Sequence, residues 1–150
     1  MAANAEQGNA LTTLLADRWE QVSRKIESLA DILPEDGIER TPVNGVRTYG
    51  AVLRHVAFWN QYLADCLDGK APDGSSNELP LAQYATKASA IAALKRSSAV
   101  VGVAIRGRKA SLDLRTTELI VTFLEHTSEH YGQLVVYCRL MGIVPVASRG

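Results

Sequence analysis

Cysteine is scarce: the 150 residues hold only Cys66 and Cys138. Two thiols so widely separated make neither a disulfide framework nor a thiolate zinc site, and a reducing cytoplasm is the expected compartment. An excess of charge of one sign is also missing. Sixteen basic and sixteen acidic residues cancel, and no lysine or arginine cluster stands out, so neither nucleic acid nor an anionic membrane surface is an expected partner. No uninterrupted apolar run approaches the ~20 residues of a membrane span. The opening MAANAEQGNA has no basic segment followed by an apolar one, so no export signal is visible. Strand signals are weak, VVGVAI being short and set behind an alanine-rich run, and no internal repeat is evident.

What is present is an apolar fraction of 47% in a chain long enough for one domain with its own core. Four helical segments can be read, all in a single domain over residues 1–150. The first runs from about Leu11 to Leu33, with Leu15, Val22, Ile26, Leu29 and Leu33 at helical spacing, and Pro34 stops it. The segment PEDGIERTPVNGVRT is an irregular connection. The second helix starts after Thr48 as N-cap and ends near Gly69, and Lys70 to Pro80 is a loop. An alanine-rich third helix spans about Thr86 to Ile105, with Gly107 as terminator. The fourth runs from about Arg115 to Met141, with Gly142 as a left-handed stop and Pro145 beyond. The expected fold class is all-α, a four-helix bundle, whose core is a usual place for metal sites.

Histidine occurs three times, and the placement is informative. His126 and His130 sit four apart in LIVTFLEHTSEHYGQLVVY, and His55 lies in YGAVLRHVAFWNQYL. At about 100° per residue, Thr122, His130, Gln133 and Tyr137 all fall within about 40° of His126 on one helix face. On the second helix, Trp59, Tyr62 and Cys66 fall within about 40° of His55. Both stripes are polar and aromatic where a structural seam would be aliphatic. An i, i+4 histidine pair can reach one ion, and a third histidine from a facing helix makes a three-nitrogen site with an open position. A core histidine satisfied by hydrogen bonds is the ordinary alternative for each residue taken singly. Three neutral nitrogens leave a divalent ion its full charge, suited to acidifying a thiol or a water. Imidazole suits zinc, nickel, copper and iron alike.

His126-Thr127-Ser128-Glu129-His130 formally matches HxxEH, the inverted zinc-protease motif. No acidic residue follows His130 to act as a downstream ligand, so a peptidase is not expected. Glu129 lies beside the histidine face as a candidate proton acceptor or second-sphere group, though a solvated carboxylate is the simpler role. Trp59, Tyr62, Gln133 and Tyr137 are candidates for a substrate pocket. Cys66 lies about 16 Å along the helix from His55, too far for the same ion. Both thiols are expected to be buried and inert.

The two histidine blocks, RTYGAVLRHVAFWNQYL and FLEHTSEHYGQLVVYCRLMGIVP, resemble those of the DinB/YfiT-like family of small bacterial four-helix proteins with three metal-binding histidines. The second block is the more specific, with EHYGQL followed by the Y-x-R-L-x-G-I-x-P ending. Many relatives close that motif with two prolines; here Pro145-Val146 departs from it. The resemblance implies an up-down-down-up bundle, often a homodimer, with nickel or zinc held at positions matching His55, His126 and His130. It also implies one known activity, metal-dependent thiol S-transfer using low-molecular-weight thiols such as bacillithiol or mycothiol, while many relatives have no assigned activity. Three functions stay open at this point: thiol transfer to a small-molecule electrophile, hydrolysis by metal-activated water with Glu129 as base, and a non-enzymatic, stress-related metal-binding or interaction role.

Overall fold

Side-chain caps decide where the helices begin. In the computed structural model, which describes residues 2–108 and 112–149 with side chains from residue 10 onward, four helices are present: α1 Ala2–Asp31, α2 Tyr49–Leu67, α3 Lys87–Arg106 and α4 Leu114–Leu140. Thr48 accepts the Ala51 N–H at the start of α2. Thr86 and Ser89 form a reciprocal capping box on α3, and Asp113 accepts the Thr116 N–H on α4. Each cap satisfies an amide that the first turn leaves without a helical partner. At the far end of α4, Gly142 takes φ +73°, the Ile143 N–H donates to Cys138 O and the Gly142 N–H to Arg139 O. That is a Schellman closure, which needs a residue tolerant of positive φ. Gly107 does follow α3, but in a right-handed conformation. Among the described residues there is no strand.

The first helix begins earlier than the apolar pattern suggests, at Ala2 rather than near Leu11. Residues 2–10 are rich in alanine but have no apolar stripe; they favour helix without producing a period that reveals it.

Contacts define the bundle. Trp19 Nε1–H donates to Ser98 O (2.9 Å) and Lys95 pairs with Asp31, so α1 and α3 run antiparallel. Asn60 reaches Ser97 and Ser98 while Arg108 bonds Leu67 O, so α2 and α3 run parallel. Tyr49 meets Cys138 while Tyr62 stacks on Phe123, making α2 and α4 antiparallel. With α1 beside α4 as the fourth contact, this is the up-down-down-up arrangement. By length and composition α3 is apolar enough to cross a membrane; here it packs as a core helix on α2 and α1.

The core is divided. One cluster holds Ile26, Leu29, Tyr49, Leu53, Val56, Leu94 and Leu134, the other Leu15, Trp19, Leu63, Ile105, Ile120 and Phe123. Between them lies a polar waist of Ser23, Asn60, Ser97, Ser98 and Thr127, all buried. Asn60 Nδ2 donates to the hydroxyls of Ser97 (3.2 Å) and Ser98 (3.3 Å). The histidines open off this waist on the α2–α4 side.

Gly50, in the first turn of α2, is pressed by the turn that precedes the helix. A methyl there would meet the Glu39 carboxylate and stand 3.0 Å from Ile38 O. Gly50→Ala is therefore expected to destabilise the protein by about 1–3 kcal/mol. Urea unfolding reads this directly; an unchanged midpoint would show that the turn yields freely.

Candidate metal centre

The antiparallel packing of α2 on α4 brings His55 against His126 and His130. Ring centroids lie 5.1 Å apart for His55 and His126, 4.7 Å for His55 and His130, and 4.5 Å for His126 and His130. One ligating nitrogen from each falls within 4.8 Å of the others.

Hydrogen bonds at the outer nitrogens orient the rings. His55 Nδ1–H donates to the Asn77 carbonyl (2.6 Å), which can only accept, so the His55 lone pair is on Nε2. His130 Nδ1–H donates to Gln133 Oε1 (2.8 Å), and Gln133 Nε2–H donates to Tyr137 Oη (2.8 Å). His130 likewise keeps Nε2 free. His55 Nε2 and His126 Nε2 face each other at 3.1 Å. Two nitrogens bound to one tetrahedral zinc lie about 3.3 Å apart, given Zn–N distances near 2.0–2.1 Å. His126 Nδ1 is buried and has no hydrogen-bond partner among the described residues. If His126 Nε2 carries the proton, it donates to His55 and leaves Nδ1 a bare acceptor in the core. The donor set thus suits a divalent cation: convergent neutral nitrogens, two of them fixed in the ligating tautomer.

Electrostatics keep the rings neutral. Burial pushes His55 down to about 4, against the Asn77 bond, which favours the charged form. Burial also brings His126 to about 4, reinforced by repulsion from His130, His55 and Arg47. His130 is lowered as well, chiefly by burial.

The profile of the DinB superfamily matches residues 18–134, a span that includes all three histidines. The chain belongs to the DinB superfamily. No curated protein matches it.

In this DinB-superfamily bundle the remaining candidates take separate places. Trp59 packs edge-on to His55 (6.3 Å) and His126 (6.2 Å), forming one wall. Tyr62 touches Trp59 (5.0 Å) and Phe123 rather than a histidine. It lines a groove of about 620 Å³ between α2 and α4, together with Cys66, Arg115, Leu119 and Thr122. Gln133 and Tyr137 form a bonded chain behind His130, and Tyr137 is buried. Glu129 is exposed and, among the described residues, makes no hydrogen bond to a histidine; it acts on His130 only through its charge. Cys138 is buried with Tyr49 Oη at 2.9 Å from its sulfur. Cys66 is only half-buried, which corrects the expectation of a buried thiol: it borders the groove. No histidine lines this groove, nor a second one of about 370 Å³ between α1 and α3 that holds Glu20, Lys95 and Arg106.

Asn77 and Phe123 are absent from the residues picked out by sequence. Phe123 lies on α4 one turn before His126 and closes the lower side of the site, 6.1 Å from its ring; its apolar character made it look like ordinary core. Asn77 contributes through its carbonyl, which every residue has.

The histidine shifts carry a sign. Folded His55 and His126 titrate near 4, below the unfolded value of about 6.5. The folded state therefore binds fewer protons, and its stability is fully present above about pH 6.5 and lost as pH falls towards 4. Metal-free protein should show a falling Tm across that window, with a shallower fall in His126→Gln. Parallel curves for the two proteins would contradict the assignment.

Proposed function

We propose that His55, His126 and His130 hold a divalent cation, zinc or nickel in the first instance, and that the chain is a metal-dependent enzyme of the thiol S-transferase type. The observation that carries this reading is the convergence of three neutral imidazoles from two helices, with the outer nitrogens of His55 and His130 already committed to acceptors. Three protein ligands leave a coordination position open, and a bound divalent ion would supply the positive charge that acidifies a thiol there.

The chain's own residues supply the rest. Trp59 walls the site, and beyond it the groove that Tyr62 and Thr122 line between α2 and α4, which no histidine borders, offers room for the body of a low-molecular-weight thiol or of a small electrophile reaching towards the rings. Arg47, exposed on the segment before α2, adds positive potential at all three rings, which favours a thiolate over a thiol. The thiol proton leaves to solvent, the sulfur forms the new bond to carbon, and the leaving group departs with its electron pair.

A bound ion would acidify a water as well as a thiol; thiol transfer is favoured because, among the described residues, no carboxylate is placed at the histidines to shuttle the protons of a hydrolysis. The carboxylates nearest in sequence, Glu125 and Glu129, are both exposed, and neither is bonded to a histidine among the described residues. A homodimer working in the cytoplasm belongs to this proposal on the strength of the family resemblance, and sedimentation checks the oligomeric part.

Elemental analysis of untagged protein is expected to give near-stoichiometric metal in the natural chain and loss in His55→Ala and His126→Ala. No metal, and no uptake of zinc or nickel on reconstitution, would remove the proposal. The loaded protein should then consume a low-molecular-weight thiol with a model electrophile. Metal without such turnover leaves the non-enzymatic, stress-related role standing. Glu129→Gln is expected to retain thiol turnover within about threefold; a loss of the ~10²-fold or more typical of a missing general base would show that Glu129 takes the proton, and turnover of an ester that Glu129→Gln abolishes would point to hydrolytic chemistry instead.

A further inference from the structure

The loop that leaves the C-terminal end of α2 turns back and docks along the first half of the same helix, with three successive residues bonded to it. The Asn77 carbonyl accepts His55 Nδ1–H (2.6 Å), and Asn77 Oδ1 accepts Trp59 Nε1–H (2.9 Å). Glu78 Oε1 accepts Arg54 Nε–H (2.9 Å). The Leu79 N–H donates to Arg54 O at 3.4 Å. Arg54 itself is buried and is held from its other side by Glu39 and the Tyr84 carbonyl.

Asn77 takes φ +56°, the only non-glycine residue with positive φ among those described. Side chains other than asparagine and aspartate rarely adopt that conformation, and it persists where surrounding contacts over-determine it. Here the contacts are those made to Trp59 and Arg54.

From this arrangement we infer that residues 77–79 form a clasp whose task is to select the tautomer of His55, with Asn77 as a positioning residue and Glu78–Arg54 as its anchor. A neutral imidazole can carry its proton on either nitrogen, and only one choice leaves Nε2 free to face His126. The Asn77 carbonyl accepts and never donates, so it enforces the proton on Nδ1. The anchor sits one residue before His55 on α2, which ties the position of the carbonyl to the helix it orients. The consequence for metal affinity rests on the proposed metal centre; the tautomer claim does not.

The test uses the full chain and variants Asn77→Pro, Asn77→Gly and Glu78→Gln. Proline fixes φ near −65° and forbids the observed backbone, whereas glycine permits it and gives up only the bond to Trp59. Nitrogen-15 NMR of the imidazoles reads the His55 tautomer in metal-free protein, and chelator competition reads zinc affinity. Expected are a His55 proton on Nδ1 in the natural chain and in Asn77→Gly, with zinc affinity within about threefold. Loss of that tautomer and a fall in zinc affinity of about 10–100-fold are expected in Asn77→Pro. Glu78→Gln should fall between them, and it serves as the test if the proline variant does not fold. A proton on Nε2 of His55 in the natural chain, or folded Asn77→Pro or Glu78→Gln protein with an unchanged tautomer and affinity, would overturn the inference. If the natural chain binds no zinc, the metal reading fails, and the NMR comparison alone decides the clasp.

Discussion

A neutral imidazole carries one donor and one acceptor, and moving it out of water costs free energy unless both find partners. Three such rings gathered between two helices multiply that demand, and the surroundings of the centre answer it. The Asn77 carbonyl takes the His55 proton, the Gln133 amide takes the His130 proton, and Tyr137 steadies the amide from behind. What these partners leave over is a group of nitrogens directed at one another, an arrangement unfavourable for lone pairs and favourable for a cation.

That centre exists because of the bundle's topology. In an up-down-down-up bundle α2 and α4 are antiparallel neighbours, so the first half of α2 meets the second half of α4. Tyr49 against Cys138 and Tyr62 against Phe123 mark the two ends of the seam, with His55 opposite His126 and His130 between them. The apolar clusters above and below hold this register. The waist between them contains hydroxyls and an amide, and four of the buried polar atoms in or beside it, on Ser23, Asn60, His126 and Thr127, have no partner among the described residues. A core organised only for stability would fill that layer with aliphatic side chains.

Arg54 sits beside this layer with its guanidinium buried, bonded to Glu39 and Glu78. Desolvating such a charge offsets much of the attraction between the partners, so the pair is weak grounds for stability. Its value is geometric. The forked guanidinium holds two separate loops against α2, one on each side, and the loop carrying Glu78 also carries the carbonyl that orients His55.

The helices and the histidine stripes were legible in the sequence because both arise from local geometry. A 3.6-residue period places His126, His130, Gln133 and Tyr137 on one face whatever the rest of the chain does, and Thr48, Thr86 and Gly142 mark helix ends by their own side-chain and backbone preferences. The start of α1 was missed because alanine favours helix without generating a period. The partners of each ring were a matter for tertiary structure. A backbone carbonyl leaves no mark in a sequence, since every residue has one, and Asn77 becomes informative only when a loop of unconstrained composition folds back 22 residues to meet His55. The sequence by itself determined which residues share a helix face; the packing of α2 on α4, and the return of that loop, decided which faces meet and which nitrogen of each ring is left free.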